Sequence, residues 1–94
     1  MRDDKFEWDD QKAAANRIRH GISFETARKA FKDRSAVDQP DDREEYGEER
    51  YTLIGMADER LLFVAYTVRD DRIRIISARG AEPYEHRIYH EKGD

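Results

Sequence analysis

The 94-residue sequence contains no cysteine. A disulfide scaffold, thiol catalysis and a thiolate metal site are therefore excluded, and the absence fits a reducing cytoplasm. Long apolar runs are missing too. The longest, LLFVAY at 61–66, falls far short of the ~20 residues a membrane helix needs. The opening MRDDKFEWDD has no apolar stretch of the kind that marks a signal peptide. These absences point to a soluble, cytoplasmic protein with no membrane partner. Also missing are a Gly-rich phosphate loop, a serine nucleophile elbow and an HExxH zinc motif.

What is present is charge. The chain is 43% charged and 37% hydrophobic, with net charge -4 and mean hydropathy -1.10. Its length allows one domain, residues 1–94, with a thin core. The apolar residues are clustered, so a folded domain with a heavily charged surface is expected rather than disorder. The signs are unevenly placed. Acids dominate DRSAVDQPDDREEYGEER at 33–50, whereas Arg60, Arg69, Arg72, Arg74 and Arg79 face only Asp70 and Asp71 in the stretch 60–79. A positive face on an acidic body follows from that distribution.

KFEW at 5–8 alternates and predicts a short strand. Asp9 or Asp10 can cap a helix over QKAAANRIRH, which Gly21 ends, with Ile22 packing back after it. Ser23 caps a second helix, FETARKAFK, whose Phe24, Ala27 and Phe31 form one stripe. SAVD at 35–38 is a weak strand signal, and the polar stretch 39–48 reads as a loop. Residues 50–55, 61–68 and 72–78 predict three strands joined by short turns, hence an antiparallel meander. Pro83 opens a last helix running to about Glu91, followed by a frayed Gly-Asp tail. The expected fold class is α+β, in the order β-α-α-β-β-β-β-α. An antiparallel sheet carries the helical hairpin on one face.

RIRIISAR at 72–79 threads arginines through an apolar strand. Strict alternation places Arg72, Arg74, Ile76 and Ala78 on one face and Ile73, Ile75, Ser77 and Arg79 on the other. Arg74 and Arg79 would then leave the strand on opposite sides. They are either solvent-side positions paired with nearby acids or the anion-binding part of a site. Glu48 and Glu49 could supply a general base or simply end a solvated acidic run. Lys12 sits where the helix dipole disfavours a cation, and Trp8 is either core or a stacking surface for a base. Glu85 follows Arg79 closely enough to orient its guanidinium. Glu82, His86 and His90 share one side of the last helix and could bind zinc, but the pattern reads first as the polar face of a terminal helix. His20, at the end of the first helix, suits the dipole there.

FEWDDQKAAANRIRHGISFETA, GEERY and RIISAR with Glu85 and Tyr89 after it resemble the BrnT family. These are toxins of type II toxin–antitoxin pairs. The likeness runs from Phe6 to Tyr89, with Arg19 standing where lysine is usual. It implies a RelE-like fold and an endoribonuclease that cleaves RNA with no metal or other cofactor and arrests growth. It also implies a BrnA-like antitoxin with a ribbon-helix-helix DNA-binding domain, so that the toxin meets its DNA operator only through that complex. Trp8, Lys12, Glu49, Arg50, Arg74, Arg79 and Glu85 fall on the family's motif positions. Metal-free cleavage needs a base for the 2′-hydroxyl proton, cations for the phosphorane and an acid for the leaving 5′-oxygen. The expected assignment is Arg79 and Arg74 as phosphate stabilisers, Glu49 as base and Lys12 as acid. Trp8, Arg50, Arg60 and Arg69 would bind RNA, and Glu85 would orient Arg79. The rival reading is a non-enzymatic module whose arginine-rich sheet docks onto an acidic protein.

Overall fold

The structure, a computed structural model, describes residues 1–43, 45 and 47–92; the expected frayed tail lies outside them. Strand β1 (Phe6–Glu7) leads into helix α1 (Asp10–His20). Helix α2 (Phe24–Ala27) continues as a 3-10 turn over Arg28–Lys32. Then come β2 (Val37–Pro40), β3 (Tyr51–Ala57), β4 (Arg60–Arg69), β5 (Arg72–Gly80) and helix α3 (Pro83–Lys92). The architecture is α+β, built on one five-stranded sheet of order β1-β5-β4-β3-β2. No helix among the described residues is long and apolar enough to cross a membrane.

The helix ends follow their capping chemistry. The Asp9 carboxylate accepts the N–H groups of Gln11 at 2.8 Å and Lys12 at 3.0 Å. Gly21 closes α1 at φ 72°, a left-handed conformation that glycine adopts without steric cost. The Ser23 hydroxyl accepts the Thr26 N–H at 3.1 Å.

The sheet departs from the expected all-antiparallel arrangement. β2 to β5 form the antiparallel meander, but β1 joins β5 in parallel, pairing Phe6 with Ile73. No hairpin turn links β1 to β5, so nothing forces the antiparallel direction on it. The strand at 37–40 also lies two residues beyond its expected start. Pro40 is accommodated because β2 is an edge strand. Both tight turns of the meander have two residues at positive φ, Asp58–Glu59 at 49° and 66° and Asp70–Asp71 at 49° and 63°. That is the conformation whose twist matches a hairpin, here made without glycine.

One sheet face is covered by the helical hairpin. Phe24, Ala27, Leu62 and Val64 are wholly buried there, with Trp8, Ile75 and Ala78 beside them. Gly55 lets the 3-10 turn approach, since a Cβ at that position would meet the Ala30 carbonyl oxygen at 2.8 Å. On the second face Val37, Ile54 and Leu61 form a smaller cluster against Ile88 and Tyr89 of α3. The Tyr89 hydroxyl donates to Asp33 at 2.7 Å and pins the helix in place.

β5 contains the feature that positions the site. The ladder pairs Tyr66 with Ile75 but Ala65 with Ser77, so Ile76 is an inserted residue with no partner of its own. Past it the alternation changes phase. Ile73, Ile75 and Ala78 all pack toward the helical hairpin. Arg74, Ser77 and Arg79 therefore share the second face. The opposite-face expectation for Arg74 and Arg79 is thus corrected, and the inserted Ile76 is the reason. Asn16 of α1 seals the strand edge beside it. Its amide donates to the Ala78 carbonyl at 2.8 Å and accepts the Ala78 N–H at 3.1 Å.

Candidate active site

Arg79 is the best-held cation on the second face. Its Nη1 and Nη2 donate to the two oxygens of Glu85 at 2.8 and 2.9 Å, and Nη1 also donates to the Gly80 carbonyl at 3.1 Å. The guanidinium lies over the Phe63 ring, 4.3 Å from its centre, and Phe63 is its cross-strand partner. Glu85 is fully buried and accepts the Glu82 N–H at 2.8 Å. Burial opposes its charge, but Arg79, the Glu82 N–H and the Tyr84 hydroxyl outweigh that, so its pKa lies below the usual carboxylate range. Three of the five Arg79 N–H donors are engaged within the described residues. The remaining two, on Nε and Nη2, lie parallel along the other edge of the guanidinium. A second bidentate fork is left for an anion.

Arg74 lies further along the same face, where Nη1 donates to Glu7 of β1 at 3.2 Å. Asp9 stands near it. Hydrogen bonds from the Lys12 and Gln11 N–H groups hold the Asp9 carboxyl below its usual pKa, and the charges of Lys12 and Arg74 add to this. Ser77 sits between Arg74 and Arg79 in the strand.

The other candidates are placed elsewhere. Glu49 accepts the Tyr51 hydroxyl at 2.8 Å, and Tyr51 stacks on Tyr66 at the rim of the hairpin-covered face. Its carboxylate is thus held away from Arg79, although Glu49 lines small clefts with Arg50 and with Arg69. Trp8 is 4% exposed and edge-on to Phe24, so its ring is core and offers no face to a base. The Arg60 guanidinium lies against Gly80, where a Cβ would approach it to 2.5 Å, on the side away from Arg79. Arg69 donates to Glu48 at 2.9 Å. Arg50 is half-buried next to the acidic loop, its carbonyl accepting the Asp41 N–H at 2.8 Å. A cleft of about 390 Å³ in that loop is lined by Arg50 together with Asp41, Asp42, Glu45, Glu48 and Glu49, so carboxylates surround this arginine. His86 and His90 stack at 6.4 Å on the outside of α3. No group of three metal-ligating side chains gathers among the described residues, so the zinc arrangement with Glu82 does not form.

Three of the sheet arginines thus bring their own carboxylates: Glu48 for Arg69, Glu7 for Arg74, Glu85 for Arg79. Sequence reasoning missed Glu7, although Phe6 and Trp8 alternate inward around it. It also missed Ser77, because the phase change at Ile76 leaves no mark in the pattern.

The family model for BrnT, described as the ribonuclease toxin of a type II toxin–antitoxin system, matches residues 8–85. The chain belongs to the BrnT family. The matched segment contains Lys12, Arg74, Arg79 and Glu85. Membership makes it a ribonuclease toxin, with RNA as substrate and an antitoxin as partner. No curated protein sequence matches the chain.

Proposed function

We propose that this BrnT protein is a metal-independent endoribonuclease of RelE-like type, acting in the cytoplasm, with the second face of the sheet as its active surface. The observation that carries this reading is the state of Arg79. A buried carboxylate fixes its guanidinium while a complete bidentate edge remains open. Arginine stays charged at every relevant pH, and its fork fits phosphate geometry.

In this reading the scissile phosphate binds the Nε–Nη2 edge of Arg79. Arg74 supplies a second positive charge as negative charge grows on the phosphorane. Glu82, whose carboxylate lies 3.6 Å from Arg79 Nη1 and is exposed, takes the base role in place of Glu49. It accepts the 2′-hydroxyl proton while the 2′-oxygen attacks phosphorus. The bond from phosphorus to the 5′-oxygen breaks, and Lys12 delivers a proton to that oxygen. A 2′,3′-cyclic phosphate and a 5′-hydroxyl result, and no redox partner is required.

The partner in this reading is a BrnA-like antitoxin with a ribbon-helix-helix domain, and operator DNA is bound only by the complex. The docking-module alternative predicts neither growth arrest nor RNA cleavage on induction. Induction of the protein with and without the neighbouring antitoxin reading frame tests the function. Growth arrest with RNA fragmentation, reversed by the antitoxin and retained by purified protein in EDTA, is expected. Unchanged growth and intact RNA on induction alone would contradict it.

A further inference from the structure

A small cleft opens beside Arg79, between α3 and the β2–β3 hairpin, with a volume of about 220 Å³. Phe63 and Ile54 line its apolar side, and Tyr84 and Ile88 of α3 line the opposite wall. Gln39 and Thr52 also line it, and these two are direct cross-strand partners. Both are half-buried. Neither the Gln39 amide nor the Thr52 hydroxyl hydrogen bonds any group among the described residues. Glu85 belongs to both places, lining the cleft while it holds Arg79.

We propose that this cleft is the subsite for the nucleobase next to the cleaved phosphate, with Gln39 and Thr52 reading its edge. The proposal rests on the ribonuclease reading and adds to it the residues that set base preference. Three features select a base as the occupant. The cleft is smaller than the ~300–1,000 Å³ that drug-sized ligands occupy, so it takes one ring system. Its walls are aromatic and aliphatic, the surfaces on which unstacked RNA bases are held. Beside the charged Asp41, Asp42, Arg43 and Glu85, its polar groups include an amide, which offers a donor and an acceptor side by side, and a hydroxyl that can act as either. A base edge presents that same alternation, and the cleft shares Phe63 and Glu85 with the surroundings of Arg79.

Tyr84 contributes differently. Its ring is 47% exposed at the mouth of the cleft, where it can cover a base that has entered. A Tyr84→Ala change should weaken nucleotide binding at all bases alike. Changes at Gln39 and Thr52 should alter which base is preferred.

Two measurements test this together. Cleavage sites on a mixed-sequence RNA are mapped for wild type, Gln39→Ala and Thr52→Val, with thermal melts confirming the fold. The wild type should prefer certain nucleotides at the cut. Either variant should lower the ratio of best to worst nucleotide by about tenfold or more, the discrimination that one good base contact supplies. In parallel, the protein is titrated with the four nucleoside 3′-monophosphates and followed by NMR. Signals of Gln39, Thr52 and Tyr84 should move, with different affinity for different bases.

Cleavage with an unchanged site preference in both variants overturns the base subsite and leaves the ribonuclease reading standing. Nucleotide shifts at these residues without RNA cleavage keep the subsite and overturn the reaction. If nucleotides move nothing here while the antitoxin does, the cleft is a protein-docking groove and the proposal fails.

Discussion

Arg74 and Arg79 project from one face of β5 although their positions differ by an odd number, because Ile76 is inserted between two ladder registers. The relationship makes a definite prediction. Deleting Ile76 removes the inserted residue and leaves the two arginines an even number of positions apart, so both stay on the second face of an unbroken ladder. The deletion variant should therefore keep a cooperative thermal transition, and Ile76→Val should melt near wild type and keep its activity.

Asn16 provides a second test. It is 7% exposed and its amide serves the Ala78 N–H, the Ala78 carbonyl and the Ile22 carbonyl, the last at 3.0 Å. Asn16→Ala leaves these buried groups unsatisfied, at about 1–3 kcal/mol for each group that water cannot reach. Asn16→Asp is no remedy, because its carboxylate would face two carbonyl oxygens. Both variants should unfold at clearly lower denaturant concentration, with the slope of the transition unchanged.

Glu85 sets an acid limit on stability. Its folded pKa is depressed below the ordinary 4.5, so the folded state binds its proton less readily than the unfolded state. The stabilisation is fully present above about pH 4.5 and is lost as pH falls through the lower folded value. Asp33 behaves alike. Burial opposes its charge, but the Met56 N–H, the Tyr89 hydroxyl and the Ser35 N–H lower its pKa overall. Glu85→Gln should therefore flatten the acid limb of a stability–pH profile. At neutral pH it should also cost about 3–5 kcal/mol, because Arg79 is left without its anion. A profile as steep as wild type in this variant would remove Glu85 from the account.

The β3–β4 turn predicts a stabilising change. Glu59 sits at φ 66°, a conformation that glycine adopts without the steric cost a side chain meets. Asp58, its neighbour in the turn, bonds Lys29 at 2.9 Å and is better kept. Glu59→Gly should raise the melting temperature by a few degrees, since relief of about 1 kcal/mol shifts a domain of this size by roughly 4–8 °C.

Much of this fold can be read from residue order. Asp9, Gly21 and Ser23 carry the capping chemistry of two helices, and the three meander strands stand out as apolar runs between short turns. What stays hidden depends on pairing partners distant in sequence. KFEW signals a strand but not that it will join β5 in parallel. RIRIISAR reads as plain alternation, and only the ladder with β4 shows that Ile76 is extra. The site divides in the same way. Arg79 with Glu85 is a local relationship, one turn of chain apart, and its chemistry is visible in the sequence. Glu49 looks equally suitable by type and position, yet the Tyr51 hydroxyl holds it on the other side of the sheet. Trp8 is ambiguous by type, and burial against Phe24 settles its place in the core.

The central claim is that the open edge of Arg79 holds the scissile phosphate. It is tested most directly by the rate of RNA cleavage by purified Arg79→Ala and Arg79→Lys proteins, each shown to be folded. Losing one preorganised donor of this kind costs about 100- to 1,000-fold in rate. The account predicts such a loss in Arg79→Ala, with little recovery in Arg79→Lys because lysine has no fork. Cleavage by folded Arg79→Ala at the wild-type rate would contradict it.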